Sequence, residues 1–497
     1  MNVIDISDIS LAESGVTLQH NLFSQIRVRI LNGRWISGAK LPSTRTMAHQ
    51  LKVSRNTVIQ TYEQLVAEGY LVSKPHSGFF VSLTLPDQYL NAPETKSTPA
   101  LGTDNTPSNG LFAPGVAELA LFPTAQWNRL LQRHGSRVSL LGNQDLQGYL
   151  PLREALHRYL TSSRSVVCHP NRIIITSGAQ QSIAIALLAI KRLGNNDKWL
   201  VEFPGYRQVV KVLQTFDMDY DFVNVTAEKG LETAEILNQK ALGVYLTPSN
   251  QYPMGSSIQT EQRLQLINWA QENQSWIIED DYDSEFQFDS RPLRSMQGLA
   301  AESGNTKRMV YIGSMSKVMF NALRIGYMVV PEDLVDVCLD IKDALSGDTP
   351  SHTQAALAEF IDEGMLVRHI RKMRRRYEQK YRIMQQCIRE HFGNEWQIVS
   401  QGAGLHITVQ WQSHVDEHQF SELAQRHNIV VRPMSFYEPT THKRRVGSVV
   451  LGYGNASLES IPASIAQLAS LYFELNSDKK RTLHRVAQFV VDRHKAR

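Results

Sequence analysis

Residues 308–324 read RMVYIGSMSKVMFNALR. An apolar run ends in Gly313-Ser314-Met315-Ser316, a lysine follows at Lys317, and Arg324 comes seven residues later. A strand that ends in hydroxyls, then one lysine, then one arginine suits a phosphorylated aldehyde. Desolvation would lower the Lys317 pKa and leave a neutral amine able to form a Schiff base. Ser314, Ser316 and Arg324 would hold the phosphate. A lone lysine is ordinarily solvated, so this reading depends on the motifs that accompany it.

Four more strand ends supply them. The runs RIIIT (172–176), WLVEF (199–203), GVYLT (243–247) and WIIEDD (276–281) alternate with amphipathic helical runs. Strands apolar on both faces, alternating with helices, predict a mainly parallel sheet. The first strand runs into Thr176-Ser177-Gly178-Ala179-Gln180-Gln181, a turn that opens a helix and presents free N–H groups at its positive end. Tight packing is the alternative there. Glu202-Phe203-Pro204-Gly205-Tyr206 places an aromatic ring where it could stack on a flat heterocycle. Thr247-Pro248-Ser249-Asn250-Gln251-Tyr252-Pro253-Met254-Gly255 is a polar turn. Glu279-Asp280-Asp281-Tyr282-Asp283-Ser284-Glu285-Phe286 ends an apolar strand in acid, which is costly unless something cationic sits there. A protonated pyridine nitrogen would answer that cost. Helix capping by Asp281 or Asp283 is the alternative.

In order and spacing, the five motifs resemble the aspartate-aminotransferase fold of pyridoxal-phosphate enzymes over roughly 113–475. The resemblance implies Lys317 as the lysine that binds pyridoxal 5′-phosphate and Asp280 as the carboxylate on its pyridine nitrogen, with Glu279 as the competing assignment. It implies Tyr282 near the phenolic oxygen, Tyr206 as the stacking ring, and Ala179, Gln180, Ser314, Ser316 and Arg324 as the phosphate cup. Two positions depart from the enzymes. Tyr252 stands where they carry an asparagine on the phenolic oxygen, and Asn250 is the substitute to consider. Val450 stands where they carry the arginine that clamps a substrate carboxylate; Arg432, Arg444 or Arg445 would have to take its place. Both departures argue against transamination turnover, while a cofactor could still bind.

The N-terminal region has a different character. Leu18, Leu22, Ile26 and Ile30 recur every fourth residue, as on one face of a helix. Ser43 can cap a second helix with Met47 and Leu51 inward, and Ser54 a third with Val58, Tyr62 and Leu65 inward. A short turn, Lys52-Val53-Ser54, joins them as a helix-turn-helix. Tyr70-Leu71-Val72 and Phe79-Phe80-Val81 then flank a two-stranded wing. From 24 to 82, eight Lys or Arg face only Glu63 and Glu68, a local charge of +6. Arg55, Asn56 and Thr57 would be presented by the first turn of the third helix, the residue types that read base edges and phosphates in a major groove. A winged helix used for protein contacts is the alternative. The run from Leu41 to Val81 resembles the DNA-binding domain of GntR-family bacterial regulators. That resemblance implies DNA contacts at Arg45, Arg55, Asn56 and Gly78, and Ser54 and Thr57 in the same helix start are counted with them as DNA-binding candidates.

The chain has 497 residues, 42% hydrophobic and 20% charged, with net charge +4. At roughly 150 residues per domain this predicts two to four domains. No apolar run reaches the ~20 residues of a membrane span, and MNVIDISDIS lacks the pattern of a signal peptide, so a cytoplasmic protein is expected. Cys168, Cys338 and Cys387 are too few and too scattered for a disulfide or metal framework, and no metal is expected. The expected organisation is a winged helix-turn-helix at 1–82, a linker rich in Pro, Thr, Asn and Ser at 83–112, the α/β aminotransferase-like domain of fold type I at 113–476, and a basic tail at 477–497.

This arrangement resembles the MocR subfamily of GntR regulators. The resemblance implies a pyridoxal-phosphate-dependent transcription factor that binds operator DNA as a domain-swapped homodimer. An amine effector, or vitamin B6 itself, would change its affinity for double-stranded DNA. The competing readings are an active aminotransferase with an accessory reader, and a reader joined to a domain that has lost its ligand.

Overall fold

The structure, a computed structural model, describes Ile4, Ile6, Ile9 and residues 17–82, 110–194, 198–289, 293–438 and 446–495, with side chains up to 477. Most of the expected linker, together with Arg444 and Arg445, lies outside the described residues. The chain divides into two compact units, Met1–Asn105 and Thr106–Arg497.

The first unit contains helices α1 (Leu18–Leu31), α2 (Thr44–Leu51) and α3 (Arg55–Ala67), then the antiparallel pair β1 (Leu71–Lys74) and β2 (Gly78–Val81). Leu22, Ile26 and Ile30 of α1 are buried against Met47, Val58, Tyr62 and Leu65. Leu18, the first residue of the stripe, is exposed, because the helix begins there. Both serine caps form: Ser43 Oγ accepts from Thr46 N at 3.1 Å and Ser54 Oγ from Thr57 N at 3.0 Å. A cap of this kind contributes about 1 kcal/mol. Lys52, in the left-handed conformation, ends α2 and makes the turn.

The second unit is built on an eight-stranded sheet of β3 (Ile173–Thr176), β4 (Trp199–Phe203), β5 (Tyr220–Thr226), β6 (Gly230–Leu231), β7 (Gly243–Leu246), β8 (Trp276–Asp281), β9 (Met309–Ser314) and β10 (Gly326–Val329), in the order β3-β10-β9-β8-β7-β4-β5-β6. The pairs from β9 through β8, β7 and β4 to β5 are parallel, while β10 runs antiparallel to both of its neighbours. The reason is length. Only residues 315–325 connect β9 to β10, fewer than a parallel crossover needs. Alternate residues bury on opposite faces: Ile173 and Ile175 pack with Leu152 and Leu156, while Ile174 packs with Ile183 and Ala186 of the helix Ala179–Leu193.

A smaller antiparallel sheet joins β11 (Gln397–Ile398), β12 (His406–Trp411), β13 (Arg432–Pro433) and β14 (Gly447–Gly452) in the order β11-β12-β14-β13. The last helix, Ser460–Lys495, runs unbroken through the 476/477 boundary expected for a separate tail. The side chains of that tail beyond residue 477 lie outside the described residues.

Candidate functional site

Strands β3, β4, β7, β8 and β9 point the same way, and their carboxyl ends open on one cavity of about 300 Å³. That is where doubly wound sheets hold ligands. Ala179, Gln180, Tyr206, Asp280, Tyr282, Ser314, Ser316, Lys317 and Arg324 all line it. Apart from Arg324, which precedes β10, these side chains come from the carboxyl ends of four strands, β3, β4, β8 and β9, and the sheet brings them together.

Strand alternation separates the acidic run. Glu279 and Asp281 face away from the cavity, and each finds its own partners. Glu279 accepts the backbone N–H groups of Met296 and Gln297 at 2.8 and 2.9 Å. Asp281 Oδ2 takes Arg164 Nε and Tyr311 Oη, both at 2.7 Å. Asp280 alone of the three turns into the cavity. Its Oδ2 accepts from Tyr245 Oη at 2.5 Å, and its Oδ1 is buried with no partner among the described residues. Burial pushes this carboxyl up to about 7, against the pull of the Tyr245 hydrogen bond.

Lys317 lies in the connection after β9, and its amine donates to the Gly115 carbonyl. Burial lowers its pKa, and Asp283 and Asp280 oppose that shift. At one end of the cavity Gly178 starts the helix Ala179–Leu193 at φ +117°, a conformation few other residues adopt. A Cβ there would come within 3.1 Å of Arg324 Nη2, so the guanidinium lies directly against the helix N-terminus. Ser314 Oγ donates to Ser316 Oγ at 2.9 Å on the same rim. Among the described residues no carboxylate pairs with Arg324. An N-terminal helix end, two hydroxyls and an arginine make an anion cup.

Asn250 does not line the cavity, contrary to its expected role. It sits behind the wall, and its Nδ2 donates to both carboxylate oxygens of Asp283 at 3.0 and 3.2 Å. Tyr282 Oη donates to the Asn250 carbonyl at 2.8 Å. Tyr252, at the departure from the enzyme pattern, does line the cavity, and its hydroxyl pairs with Tyr437 Oη at 2.6 Å. The other departure, Val450, is fully buried and directly opposite Arg432 in the β13–β14 register. Arg207 and Arg432 both stack on Phe436, at 4.8 and 4.5 Å from its centroid.

Sequence reasoning missed several residues of the wall. Tyr245 and Thr247 sit at the end of β7, and Thr247 Oγ1 donates to buried Glu202 at 2.5 Å. A tyrosine inside an apolar strand was the available signal for the first. Pro114, Gly115, Asn321, Leu405 and His406 also line the cavity. No local pattern marks these, since tertiary packing alone brings them in. His406 is held neutral, its pKa pushed down to about 4 by burial.

In the first unit, Arg45, Ser54, Arg55, Asn56 and Gly78 are exposed and Thr57 is half-buried. Ser54 and Thr57 are already engaged with each other: their hydroxyls lie 2.8 Å apart in the α3 cap. Arg55, Asn56 and Gln60 lie on the open side of α3.

The geometry defines a class, a helix-turn-helix reader joined to an aminotransferase fold, and comparison with known proteins agrees. Residues 18–81 match the bacterial regulatory proteins of the gntR family, and residues 116–446 match aminotransferase class I and II. The probable rhizopine catabolism regulatory protein MocR of Rhizobium meliloti is 33% identical, over 95% of this chain and 97% of its own. The pyridoxine biosynthesis transcriptional regulator PdxR of Corynebacterium glutamicum is 28% identical, over 78% of this chain and 82% of its own. Among solved structures, the α-aminoadipate aminotransferase LysN of Thermus thermophilus superposes with a TM-score of 0.66 at 23% identity, over 73% of this chain and 92% of its own. The chain belongs to the MocR-type GntR regulators: it is a DNA-binding transcriptional regulator with an aminotransferase-like domain. No helix among the described residues is long and apolar enough to cross a membrane.

Proposed function

We propose that this regulator holds pyridoxal 5′-phosphate on Lys317 and reads an amine, or the vitamin itself, at that site. The observation that carries the proposal is the unpartnered, buried Oδ1 of Asp280, in the same cavity as a desolvated lysine and an anion cup. An orphaned buried acceptor costs about 1–3 kcal/mol, and a pyridine N–H would remove that cost. The residues therefore fit the group. Lys317 would take the aldehyde, Asp280 the ring nitrogen, Tyr206 one ring face, Tyr282 the phenolic side, and Ala179, Gln180, Ser314, Ser316 and Arg324 the phosphate. When bound, the cofactor supplies a carbonyl that exchanges between amines and a ring that withdraws electrons.

This chain's own groups set what happens next. Burial keeps Lys317 ready to release its proton, and His406 beside it stays uncharged. Arg432 is our candidate for an effector carboxylate: it pairs with Val450 in the strand register, and its charge acts on the Tyr252 hydroxyl in the cavity wall. The relatives named for rhizopine catabolism and for pyridoxine biosynthesis keep both effector classes in play. The other reading, an active aminotransferase with an accessory reader, has to work without an amide at 252 and an arginine at 450. The operator would be read by Arg55, Asn56 and Thr57 after the Ser54 cap, with Arg45 on the DNA backbone and Gly78 letting the wing approach the minor groove, by a homodimer as the family resemblance implies.

The test is fluorescence anisotropy on a duplex that the protein itself selects from a random pool. Affinity is measured without additions, with pyridoxal phosphate, and with pyridoxal phosphate plus each of a panel of amines. A shift of fivefold or more in one condition is expected, equivalent to about 1 kcal/mol of coupling between the sites. Identical affinity in every condition would contradict the proposal.

A further inference from the structure

The cofactor fit leaves one carboxylate of the cavity wall without a task. Asp283 lines the cavity and is 2% exposed. It is clamped on two sides. Asn250 Nδ2 reaches both of its oxygens. From the other side comes Gly404, where a Cβ would lie 2.3 Å from both Asn250 Nδ2 and Asp283 Oδ2. Tyr453 Oη fixes that backbone by donating to the Gly404 carbonyl at 2.7 Å. A carboxylate held this tightly, with its remaining side on the cavity, faces whatever the cavity contains.

The charge around Asp283 points the same way. After burial itself, Asp283 is the strongest influence on the Lys317 amine, ahead of Asp280, and it favours the protonated form. Burial pushes the Asp283 carboxyl up to about 8, opposed first by the Asn250 amide and then by Lys317. On its own segment Glu285 and Asp281 raise it further. From other elements, Tyr252 and Tyr453 feel its charge, and neutral His406 shares the cavity. Lys317 is the cation among the groups acting on it.

We infer that Asp283 is a positioning residue for the Lys317 nitrogen, keeping a proton on that nitrogen while the cofactor is attached to it. The inference rests on the cofactor reading above.

The test is a pH titration of the visible band of the full-length, cofactor-loaded protein, since that band depends on the proton in question. Asp283→Asn preserves size and removes the charge. Its midpoint should fall by one pH unit or more, a tenfold loss of proton affinity worth about 1.4 kcal/mol. Asn250→Ser leaves the carboxylate but removes the N–H groups that favour its ionised form. Its midpoint should move in the same direction by less, and it carries the test if Asp283→Asn does not fold. Midpoints equal to the wild type in the folded variants would overturn the inference. A wild type with no visible band after pyridoxal phosphate is supplied would instead bring down the cofactor reading itself, and this inference with it.

Discussion

Asp281→Ala lowers the stability of the large unit by about 3–5 kcal/mol, the cost of removing one partner of a buried ion pair. The pair is Arg164 and Asp281, with side chains 3% and 1% exposed, joined at 2.7 Å. Arg164 also donates to Ser249 Oγ at 2.9 Å and to the Leu293 carbonyl at 3.0 Å, so it ties the helix Leu150–Arg164 to three segments beneath the cavity. Without Asp281 the guanidinium stays buried and uncompensated, and Tyr311 loses its acceptor. Urea unfolding followed by far-UV circular dichroism reads the change. A midpoint equal to that of the wild type would mean that water reaches Arg164 and that the cavity floor is softer than the structure describes.

Arg55→Ala weakens operator binding about ten- to a hundredfold, corresponding to the ~1–3 kcal/mol of a bidentate arginine–guanine contact. Arg55 opens α3 and is exposed, directly after the Ser54 cap. The visible spectrum of the cofactor-loaded protein should not change, because Arg55 belongs to the first unit and the cavity residues to the second. Thr57→Ala is the contrast. The Thr57 hydroxyl is already committed to Ser54, so its loss should loosen the helix start more than it alters sequence preference. Anisotropy on operator and non-specific duplexes over a salt series separates the two, since phosphate contacts make affinity salt-dependent while base contacts set the preference for the operator. Unchanged affinity in Arg55→Ala would place the reading surface elsewhere.

How far each part was legible follows from locality. Caps at Ser43 and Ser54 and the four-residue stripe of α1 depend on neighbours within one turn, so the reader could be read directly. The parallel strands announced themselves as apolar runs ending in polar turns. The antiparallel β10 did not, because only the shortness of the 315–325 connection imposes it. Asp280 could be separated from Glu279 only once the strand's facing was known, since both are acids in the same run. Asn250 looked like a cavity residue in one dimension; its amide is spent on Asp283, 33 positions away. Pro114, Gly115 and His406 were invisible because the segments that carry them meet the cavity only through the tertiary fold.

The central claim, a regulator whose aminotransferase-like unit carries pyridoxal phosphate on Lys317, is tested most directly by the visible absorption spectrum of the purified full-length protein beside Lys317→Ala, each before and after pyridoxal phosphate is added. The account predicts a visible band in the wild type that survives gel filtration, and its loss or clear displacement in the variant while operator binding by the reader persists. No band in the wild type after the cofactor is supplied, or the same band in both proteins, would contradict it.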